Sequence, residues 1–147
     1  MRTKLYIRRL DPRVPMPAYQ TAGSAALDLS ALLDGPVTIP PGGLETIPTG
    51  LSIALPGGDW AALVLARSGL SIRHGITLAN GVGLIDSDYR GEIQVGLVNR
   101  SREPYTIQPG DRIAQLMVIP IAKTEILELE ELPATNRGTG GFGSTGR

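Results

Sequence analysis

The sequence predicts an all-β fold, a jelly-roll-like barrel or sandwich of about a dozen short strands. Glycine and proline account for 19 and 12 of the 147 residues and are spread along the chain, so that almost no segment could hold a helix of three turns. Apart from the N-terminal residues 1–11, only residues 24–34 and 121–132 are stretches of more than ten residues free of both. The second of these alternates polar and apolar side chains, which favours a strand. Short apolar or alternating segments between turn residues fill much of the remaining chain, as in sandwiches and barrels.

The first half of the chain contains short strands divided by glycine and proline turns. Residues 40–43 and 56–58 are the clearest turns, with the sequences Pro-Pro-Gly-Gly and Pro-Gly-Gly. Residues 60–66 form a nearly unbroken apolar run, which indicates a strand buried on both faces. The predicted strands of this half are residues 3–7, 37–39, 45–47, 52–55 and 60–66.

The second half of the chain is organised around residues 80–95. The apolar pair Leu84 and Ile85 leads into a polar stretch, and alternation resumes from Ile93. This pattern predicts a β-hairpin with a polar tip. The second strand of the hairpin extends to Asn99, and the further predicted strands are residues 105–107, 113–119 and 121–132.

Composition excludes several classes of protein. Lys plus Arg and Asp plus Glu each number 14, so the net charge gives no reason to expect a nucleic acid or an anionic membrane as a partner. The chain has no cysteine and a single histidine, His74, which excludes a disulfide framework and a multi-histidine zinc site. Oxygen atoms would have to hold any metal ion, which points to magnesium or a similar hard cation.

The chain carries no sign of a membrane or secretory segment. The basic N-terminal residues are not followed by an apolar signal-peptide region, and no apolar run approaches the length that spans a bilayer. A length of 147 residues fits one domain with a substantial core. We therefore expect a soluble, cytoplasmic, single-domain protein.

The tip of the predicted hairpin has dense chemistry for a turn. Two carboxylates, an aromatic ring and a cation lie close together there, on Asp86, Asp88, Tyr89 and Arg90. Taken alone, the stretch also suits a solvated turn, because Asp, Ser and Gly are turn formers. The tip is therefore a candidate acid–base site whose interpretation depends on the other polar segments.

Other segments place polar groups beside apolar ones. Arg67, Ser68 and Gly69 directly follow the buried strand and could offer a guanidinium, a hydroxyl and backbone N–H groups to an anion, although an ordinary strand end has the same pattern. Asp28 lies between two leucines, where the ordinary interpretation is a side chain on the solvent face of a strand. His74 has no evident partner nearby, and we expect it at the surface or at an interface.

The C-terminal residues 137–147 are too glycine-rich to pack as a strand. Their G-x-G-x-x-G pattern does not indicate a dinucleotide fold, because no strand-to-helix unit surrounds it. Composition alone favours a disordered tail. Arginines, hydroxyls and Phe142 in a flexible frame also suit a flap that closes over a phosphorylated, aromatic ligand. We therefore divide the chain into a β-barrel domain, residues 1–134, and a flexible C-terminal flap, residues 135–147.

Taken together, five segments resemble the deoxyuridine triphosphate nucleotidohydrolase (dUTPase) family. They are residues 22–29, 67–70, 80–95, 110–116 and 137–146. The third, fourth and fifth match closely, whereas the second has Ala66 where the family usually has proline. The resemblance spans essentially the whole chain. It implies hydrolysis of dUTP to dUMP and pyrophosphate, which supplies dUMP for thymidylate synthesis and keeps uracil out of DNA.

The resemblance implies roles for individual residues. Asp86 resembles the general base that activates a water for in-line attack on the α-phosphorus, a reaction that needs a positioned nucleophile and dispersed positive charge. Asp28 is implied to hold waters of a magnesium ion coordinated by the triphosphate. Tyr89 is implied to stack on the deoxyribose and leave no room for a 2′-hydroxyl.

The resemblance also implies the substrate contacts and the assembly. The residues implied at the uracil are Asn80, Leu84, Ile85 and Gln94. Those implied at the phosphates are Arg67, Ser68, Gly69 and Gln115. From the tail, the residues implied at the substrate are Arg137 and Ser144 on the terminal phosphates, Phe142 over the uracil, and Gly143. Proteins of this family are homotrimers with sites built from several subunits, which would explain why the polar clusters are scattered along one small domain.

Two alternative functions stay open beside this one. A deoxycytidine triphosphate deaminase-type relative shares the fold, but it needs a carboxylate placed for water attack on the pyrimidine ring, which the hairpin tip and the Phe-Gly tail fit poorly. A non-catalytic nucleotide-binding or assembly protein belongs to a different class and has no use for a water-activating base. The products formed from dUTP and dCTP discriminate among all three.

Overall fold

In the computed structural model, which describes residues 3–143, the chain forms ten β-strands and one short helix. The strands are β1 (Tyr6–Arg9), β2 (Leu27–Ser30), β3 (Val37–Ile39), β4 (Leu44–Ala54), β5 (Trp60–Leu65), β6 (Ile76–Leu78), β7 (Gly83–Ile85), β8 (Glu92–Asn99), β9 (Tyr105–Ile107) and β10 (Arg112–Pro120). The helix, α1 (Ser68–His74), lies between β5 and β6. No helix within these residues has the length and apolar character needed to cross a bilayer.

The strands form two four-stranded sheets and one small sheet, all with antiparallel pairing. The strand order is β1-β4-β8-β6 in one large sheet and β2-β10-β5-β7 in the other, while β3 pairs with β9. Most neighbours in these sheets are distant in sequence, as in a jelly roll. The predicted all-β, jelly-roll-like fold is therefore confirmed.

The core forms where apolar side chains alternate along the strands. In β8, Ile93, Val95 and Leu97 are buried, and the residues between them are more accessible. They belong to one hydrophobic cluster with Leu29 of β2 and Leu116 of β10, which lie in the other large sheet. Burial of such a side chain contributes roughly 1.5–3 kcal/mol. The packed sheets therefore give a rigid support for the polar strand ends and loops.

The hairpin predicted for residues 80–95 is wrong in its strand pairing. β7 pairs with β5, with Ile85 opposite Ala62 and Gly83 opposite Val64. β8 pairs with β4 and β6 in the other large sheet. The chain therefore leaves one sheet after β6, adds a short strand to the other, and returns as β8. The physical reason is that pairing with β7 satisfies the backbone groups along the edge of β5, which would otherwise be open.

Two other elements differ from the sequence prediction. The sequence does not predict α1, because its seven residues include Gly69 and carry no buried face. The helix ends at Gly75, whose left-handed φ of 69° suits a glycine cap, and whose N–H donates to the carbonyl of Ser71. The strands predicted at residues 45–47 and 52–55 are one strand, β4, with an irregularity between Pro48 and Ser52.

The strand predicted at residues 121–132 is absent from the structure. The chain there runs without strand pairing after β10, and its large apolar side chains are exposed, Ile126 by 91% and Leu132 by 82%. Alternation alone does not make a strand, because a strand needs a partner edge. This segment, which we call the C-terminal arm, is left with an uncovered apolar surface.

The segment before β2 is held by Arg13. Its guanidinium contacts the carboxylates of Asp11 and Asp34, each at 2.8 Å. The hydrogen bonds from Arg13 to the Asp11 side chain lower the pKa of that carboxyl to about 2. The cluster therefore ties the N-terminal crossing to the turn that precedes β3.

Candidate active site

Apart from those of the C-terminal tail, the predicted site residues form two separate groups, each beside a cleft. The first cleft, of about 440 Å³, is bounded by β7, by β8 and by the loop between them. Six predicted site residues line it: Asn80, Leu84, Ile85, Asp86, Tyr89 and Gln94. We call it the loop cleft.

A close approach between β5 and β7 shapes the loop cleft. A Cβ atom placed on Gly83 would lie 3.1 Å from the Cβ of Val64 and 3.6 Å from the amide nitrogen of Asn80. Glycine at this position lets the two strands pair closely, so that the Asn80 amide stays beside the strand. Ile85, which ends β7, is buried and anchors the polar loop that follows.

Asp86 is exposed at the start of the loop, directly after Ile85. The loop closes on itself through its backbone. The N–H of Tyr89 donates to the carbonyl of Asp86 at 3.2 Å, and the guanidinium of Arg90 donates to the carbonyls of Ser87 and Tyr89 at 2.8 and 2.9 Å. In residues 3–143, the Asp86 carboxylate takes no part in a hydrogen bond or ion pair within the chain. It is therefore available to accept a proton at the rim of the cleft.

Tyr89 extends from the same loop and is 46% exposed. Its hydroxyl donates to the backbone carbonyl of Glu92 at 2.9 Å, at the start of β8. The ring therefore has an exposed face and a tethered end, an arrangement that suits stacking against a flat or puckered ring of a ligand.

The second group of predicted residues meets where β2, β10 and β5 lie side by side. Gln115 of β10 is opposite Asp28 of β2 on one side and Leu65 of β5 on the other. Arg67 follows the end of β5. The register of three strands therefore brings together side chains that are far apart in sequence.

Asp28 is the centre of this group and is only 14% exposed. Its Oδ1 atom accepts from Nε of Arg67 at 3.1 Å, and its Oδ2 atom accepts from Nη1 of Arg112 at 3.0 Å. Arg67 also donates to the carbonyl of Arg112 at 3.0 Å, and the Gln115 amide donates to the carbonyl of Ala66 at 2.8 Å. Two guanidinium groups are thus fixed next to one another, which suits the binding of phosphate oxygens. We call these four residues, Asp28, Arg67, Arg112 and Gln115, the arginine cluster.

Sequence reasoning missed Arg112. It lies directly before the predicted strand at residues 113–119, within a segment of the family resemblance that implies no role for it. Its partner Asp28 is 84 residues away in the chain. Only the register of β2 against β10 reveals the contact.

A second cleft, of about 310 Å³, lies beside the arginine cluster, between α1 and the strands β9 and β10. Arg67, Gly69 and Arg112 line it, and Ser68, at the start of α1, is exposed next to them.

The His74 ring packs against Tyr105 with centroids 4.9 Å apart, which agrees with the prediction of a surface histidine. Burial, together with the charge of Asp111, raises the pKa of Tyr105.

The two groups of residues are far apart within one chain. In the antiparallel pairing of β7 with β5, Ile85 is opposite Ala62, so that Asp86 lies near the start of β5. Arg67, in contrast, follows the end of β5. About six residues of strand separate the two positions, or about 20 Å at a rise of roughly 3.3 Å per residue. A single chain therefore does not bring Asp86 and the arginine cluster together.

The tail residues contact neither group. The guanidinium of Arg137 donates to the carbonyl of Gly140 at 2.8 Å, and Phe142 and Gly143 are exposed. None of these residues lines either cleft. Ser144 lies outside the described residues.

Within residues 3–143, no group of three or more His, Asp or Glu side chains could cage a metal ion. The donor chemistry of Asp28 nevertheless fits magnesium held through water. A carboxylate has about four acceptor positions, and Arg67 and Arg112 occupy only one on each oxygen. Magnesium commonly keeps several waters and binds through one or two carboxylates together with phosphates.

Comparison with known proteins identifies the family. The family model described as dUTPase matches residues 12–146. This chain belongs to the dUTPase family. A relative from Coxiella burnetii (strain RSA 331), named deoxyuridine 5'-triphosphate nucleotidohydrolase, is 54% identical over 144 residues, which cover 98% of this chain and 95% of the relative.

Solved structures agree with this assignment. The dUTPase of Staphylococcus bacteriophage 80alpha with dUPNHPP has a TM-score of 0.87 and 25% sequence identity, and the match covers 98% of this chain and 99% of that one. A mutant dUTPase from phage phi11 of S. aureus, described as coordinating a structural Mg(II) ion, has a TM-score of 0.79. It is 23% identical, with 89% of this chain and 99% of that one covered, and therefore supports the fold alone.

Proposed function

We propose that this chain hydrolyses dUTP to dUMP and pyrophosphate. Membership of the dUTPase family is the observation that carries the proposal. The free carboxylate of Asp86 at the rim of the loop cleft supports it, because a water-activating base needs an acceptor that no cation within residues 3–143 already occupies.

Asp86 is the proposed general base. The oxygen of a water molecule attacks the α-phosphorus, and the proton of that water passes to the Asp86 carboxylate. The bond from the α-phosphorus to the oxygen that bridges to the β-phosphorus breaks, and pyrophosphate leaves with the electron pair. Catalysis of this kind depends on positioning and on charge stabilisation.

The loop cleft is the proposed site of the nucleoside. Asn80 and Gln94 offer amide groups, and the backbone at Leu84 and Ile85 offers N–H and carbonyl groups, to the hydrogen-bonding edge of uracil. Tyr89 is the proposed contact of the deoxyribose. The combination of apolar walls with a few polar groups is what a nucleoside pocket requires.

The arginine cluster is the proposed site of the triphosphate. Arg67, Ser68, Gly69 and Gln115 would bind phosphate oxygens, with Arg112 as an additional cation that sequence reasoning did not include. Asp28 would hold a magnesium ion through water, and that ion would neutralise part of the triphosphate charge. Arg137, Phe142, Gly143 and Ser144 form the proposed flap, residues 135–147, which would cover the bound substrate.

We propose that the complete site forms in a homotrimer. The separation of about 20 Å along the strand between the positions of Asp86 and Arg67 supports sharing of sites, because on one chain the arginine cluster does not lie beside an α-phosphorus placed next to Asp86. The exposed apolar side chains of the C-terminal arm also support assembly, since such a surface is expected to be covered by a partner.

Product analysis separates the proposed activity from the two alternatives. The purified protein is incubated with dUTP or dCTP and magnesium, and the nucleotides are resolved by chromatography. We expect dUMP and pyrophosphate from dUTP. Ammonia release from dCTP would instead indicate a deaminase, and unchanged nucleotides would indicate a non-catalytic binding protein.

Tyr89 is predicted to determine the choice of sugar. Replacement of Tyr89 by Ala should raise kcat/KM for UTP relative to dUTP about tenfold or more, because removal of the ring makes room for a 2′-hydroxyl. Steady-state kinetics with both nucleotides measure this ratio. Wild-type protein that cleaves UTP as readily as dUTP would contradict the role of Tyr89.

A further inference from the structure

We infer that Gly91 and Glu92 are positioning residues that seat the Tyr89 ring and thereby set the discrimination against ribonucleotides. The inference rests on the proposed function for its kinetic consequence. The contacts around the Tyr89 ring that support it involve neither Asp86 nor the arginine cluster.

The missing side chain of Gly91 creates the space that the Tyr89 ring occupies. A Cβ atom on Gly91 would lie 2.6 Å from Cζ and 3.0 Å from Cε2 of Tyr89, and it would also overlap the hydroxyl oxygen. These distances are shorter than van der Waals contact, so any side chain at Gly91 forces the ring to move. The backbone of Gly91 has no positive φ, so adding a methyl group strains no backbone angle, and its effect on the folded structure is the clash with the ring.

The end of the Tyr89 ring is fixed by the backbone of Glu92, whose carbonyl accepts from the Tyr89 hydroxyl at 2.9 Å. The Glu92 side chain turns the other way and its Oε1 atom accepts from the backbone N–H of Gly50 at 2.8 Å. The same residue therefore connects the aromatic ring to the irregular part of β4.

That part of β4 is itself tightly held. Gly50 has a φ of +65°, and a Cβ there would lie 2.8 Å from Cδ2 of Leu32 and would overlap Val14. Next to it, the hydroxyl of Thr49 donates to the carbonyl of Ile93 at 2.6 Å, and Thr49 is fully buried. The start of β8 is thus attached to the core at two successive residues, and the Glu92 carbonyl offers Tyr89 a rigid acceptor.

A ring seated in advance gives better discrimination than a mobile one. A 2′-hydroxyl is excluded only if the ring cannot retreat from it, and a ring without support moves aside at little cost. The contacts of Gly91 and Glu92 supply this support before substrate binds, so that less side-chain entropy is lost on binding. Gly91 and Glu92 therefore act on selectivity through Tyr89.

A double-mutant cycle tests the role of Gly91. Gly91→Ala should reduce the ratio of kcat/KM for dUTP to that for UTP by about tenfold, because small displacements of a positioning group have large kinetic effects. In the Tyr89→Ala background the same change should alter the ratio less than about twofold, since the methyl group then has no ring to displace. An equal effect in both backgrounds, or no effect in either, would overturn the inference.

Glu92 offers a matched pair of variants. Glu92→Gln keeps an oxygen that can accept from Gly50 and should preserve the ratio, whereas Glu92→Leu removes the acceptor and should lower the ratio severalfold. If Glu92→Gln and Glu92→Leu change the ratio equally, the charge of Glu92 and not its hydrogen bond is important, and the proposed support is wrong.

A spectroscopic measurement keeps the inference separate from the proposed function. In protein labelled with ¹³C-tyrosine, the Tyr89 ring signals of the free protein should shift in Gly91→Ala and Glu92→Leu and stay in place in Glu92→Gln. Unchanged signals in Gly91→Ala would refute the seating of the ring whatever reaction the protein catalyses. Failure of the wild-type protein to hydrolyse dUTP, with the signals shifted as expected, would refute only the proposed function.

Discussion

Replacement of Asp86 by Asn is expected to lower kcat for dUTP at least ~10²-fold, the usual scale for losing a general base. The amide keeps the shape of the side chain but cannot take the proton of the attacking water. Asp86 is exposed and forms no ion pair within residues 3–143, so the substitution should leave the fold and the affinity for substrate nearly unchanged. Steady-state kinetics give kcat, and calorimetric titration with dUPNHPP gives the affinity.

Asp88→Asn is the matched control for this experiment. Asp88 is an exposed carboxylate in the same loop, two residues further along, and it does not line the loop cleft. The control variant should keep kcat within about twofold of wild type, as for most exposed substitutions. Near-normal turnover in Asp86→Asn would assign the base to another residue, and equal losses in both variants would indicate a general effect of charge in the loop.

Removal of the tail is expected to have the second large effect. A chain that ends after Thr135 lacks Arg137, Phe142 and the residues that follow. Among residues 136–143 of this tail, none packs in the core or lines either of the two clefts. The fold should therefore persist, and so should the assembly, because the C-terminal arm is retained. Turnover should fall by about tenfold or more, since the flap would supply contacts made as the site closes and excludes water.

The effect on turnover should exceed the effect on binding. The substrate would still meet the loop cleft and the arginine cluster, which the truncation leaves in place. Ordering a flexible tail costs roughly 1 kcal/mol or more per residue fixed, so its contacts are useful only if they are strongest in the reacting state. Size-exclusion chromatography and steady-state kinetics on the truncated protein test both points. Full activity would refute the flap, and loss of assembly would give the tail a structural role.

Local sequence patterns predict several strands of this protein, although β6 is not among them. The alternation of Ile93, Val95 and Leu97 with polar residues predicts β8 because side chains of a strand point alternately to the core and to solvent. The unbroken apolar run of β5 is also predicted, since this strand lies between two others, β10 and β7. In each of these cases the information lies in neighbouring residues.

Pairing between distant segments is not predicted, because it depends on what the rest of the chain leaves open. The residues of β7 look like half of a hairpin, but they join β5 instead. The alternation of the C-terminal arm predicts a strand that has no partner edge within residues 3–143. The short helix α1 lacks an apolar face and therefore leaves no periodic signal.

The same distinction applies to the candidate site. The residues of the polar loop, from Asp86 to Tyr89, are adjacent in sequence and can be recognised together. The contact between Asp28 and Arg112 depends on the register of β2 against β10 and has no local signal. The separation of Asp86 from Arg67, about 20 Å along the strand, follows only from the antiparallel pairing of β5 with β7.

Mixing two inactive variants tests most directly whether the Asp86 loop of one copy works with the arginine cluster of another. Asp86→Asn and Arg67→Ala are unfolded, combined in equal amounts and refolded together, with each variant refolded alone as a control and refolded wild type as the reference. If every site takes Arg67 from one copy and Asp86 from another, about one quarter of the sites in random hybrids carry both residues intact, and about one quarter of the wild-type activity returns. Hybrids that stay as inactive as the separate variants would mean that both residues of a site come from the same copy, and would contradict the shared site.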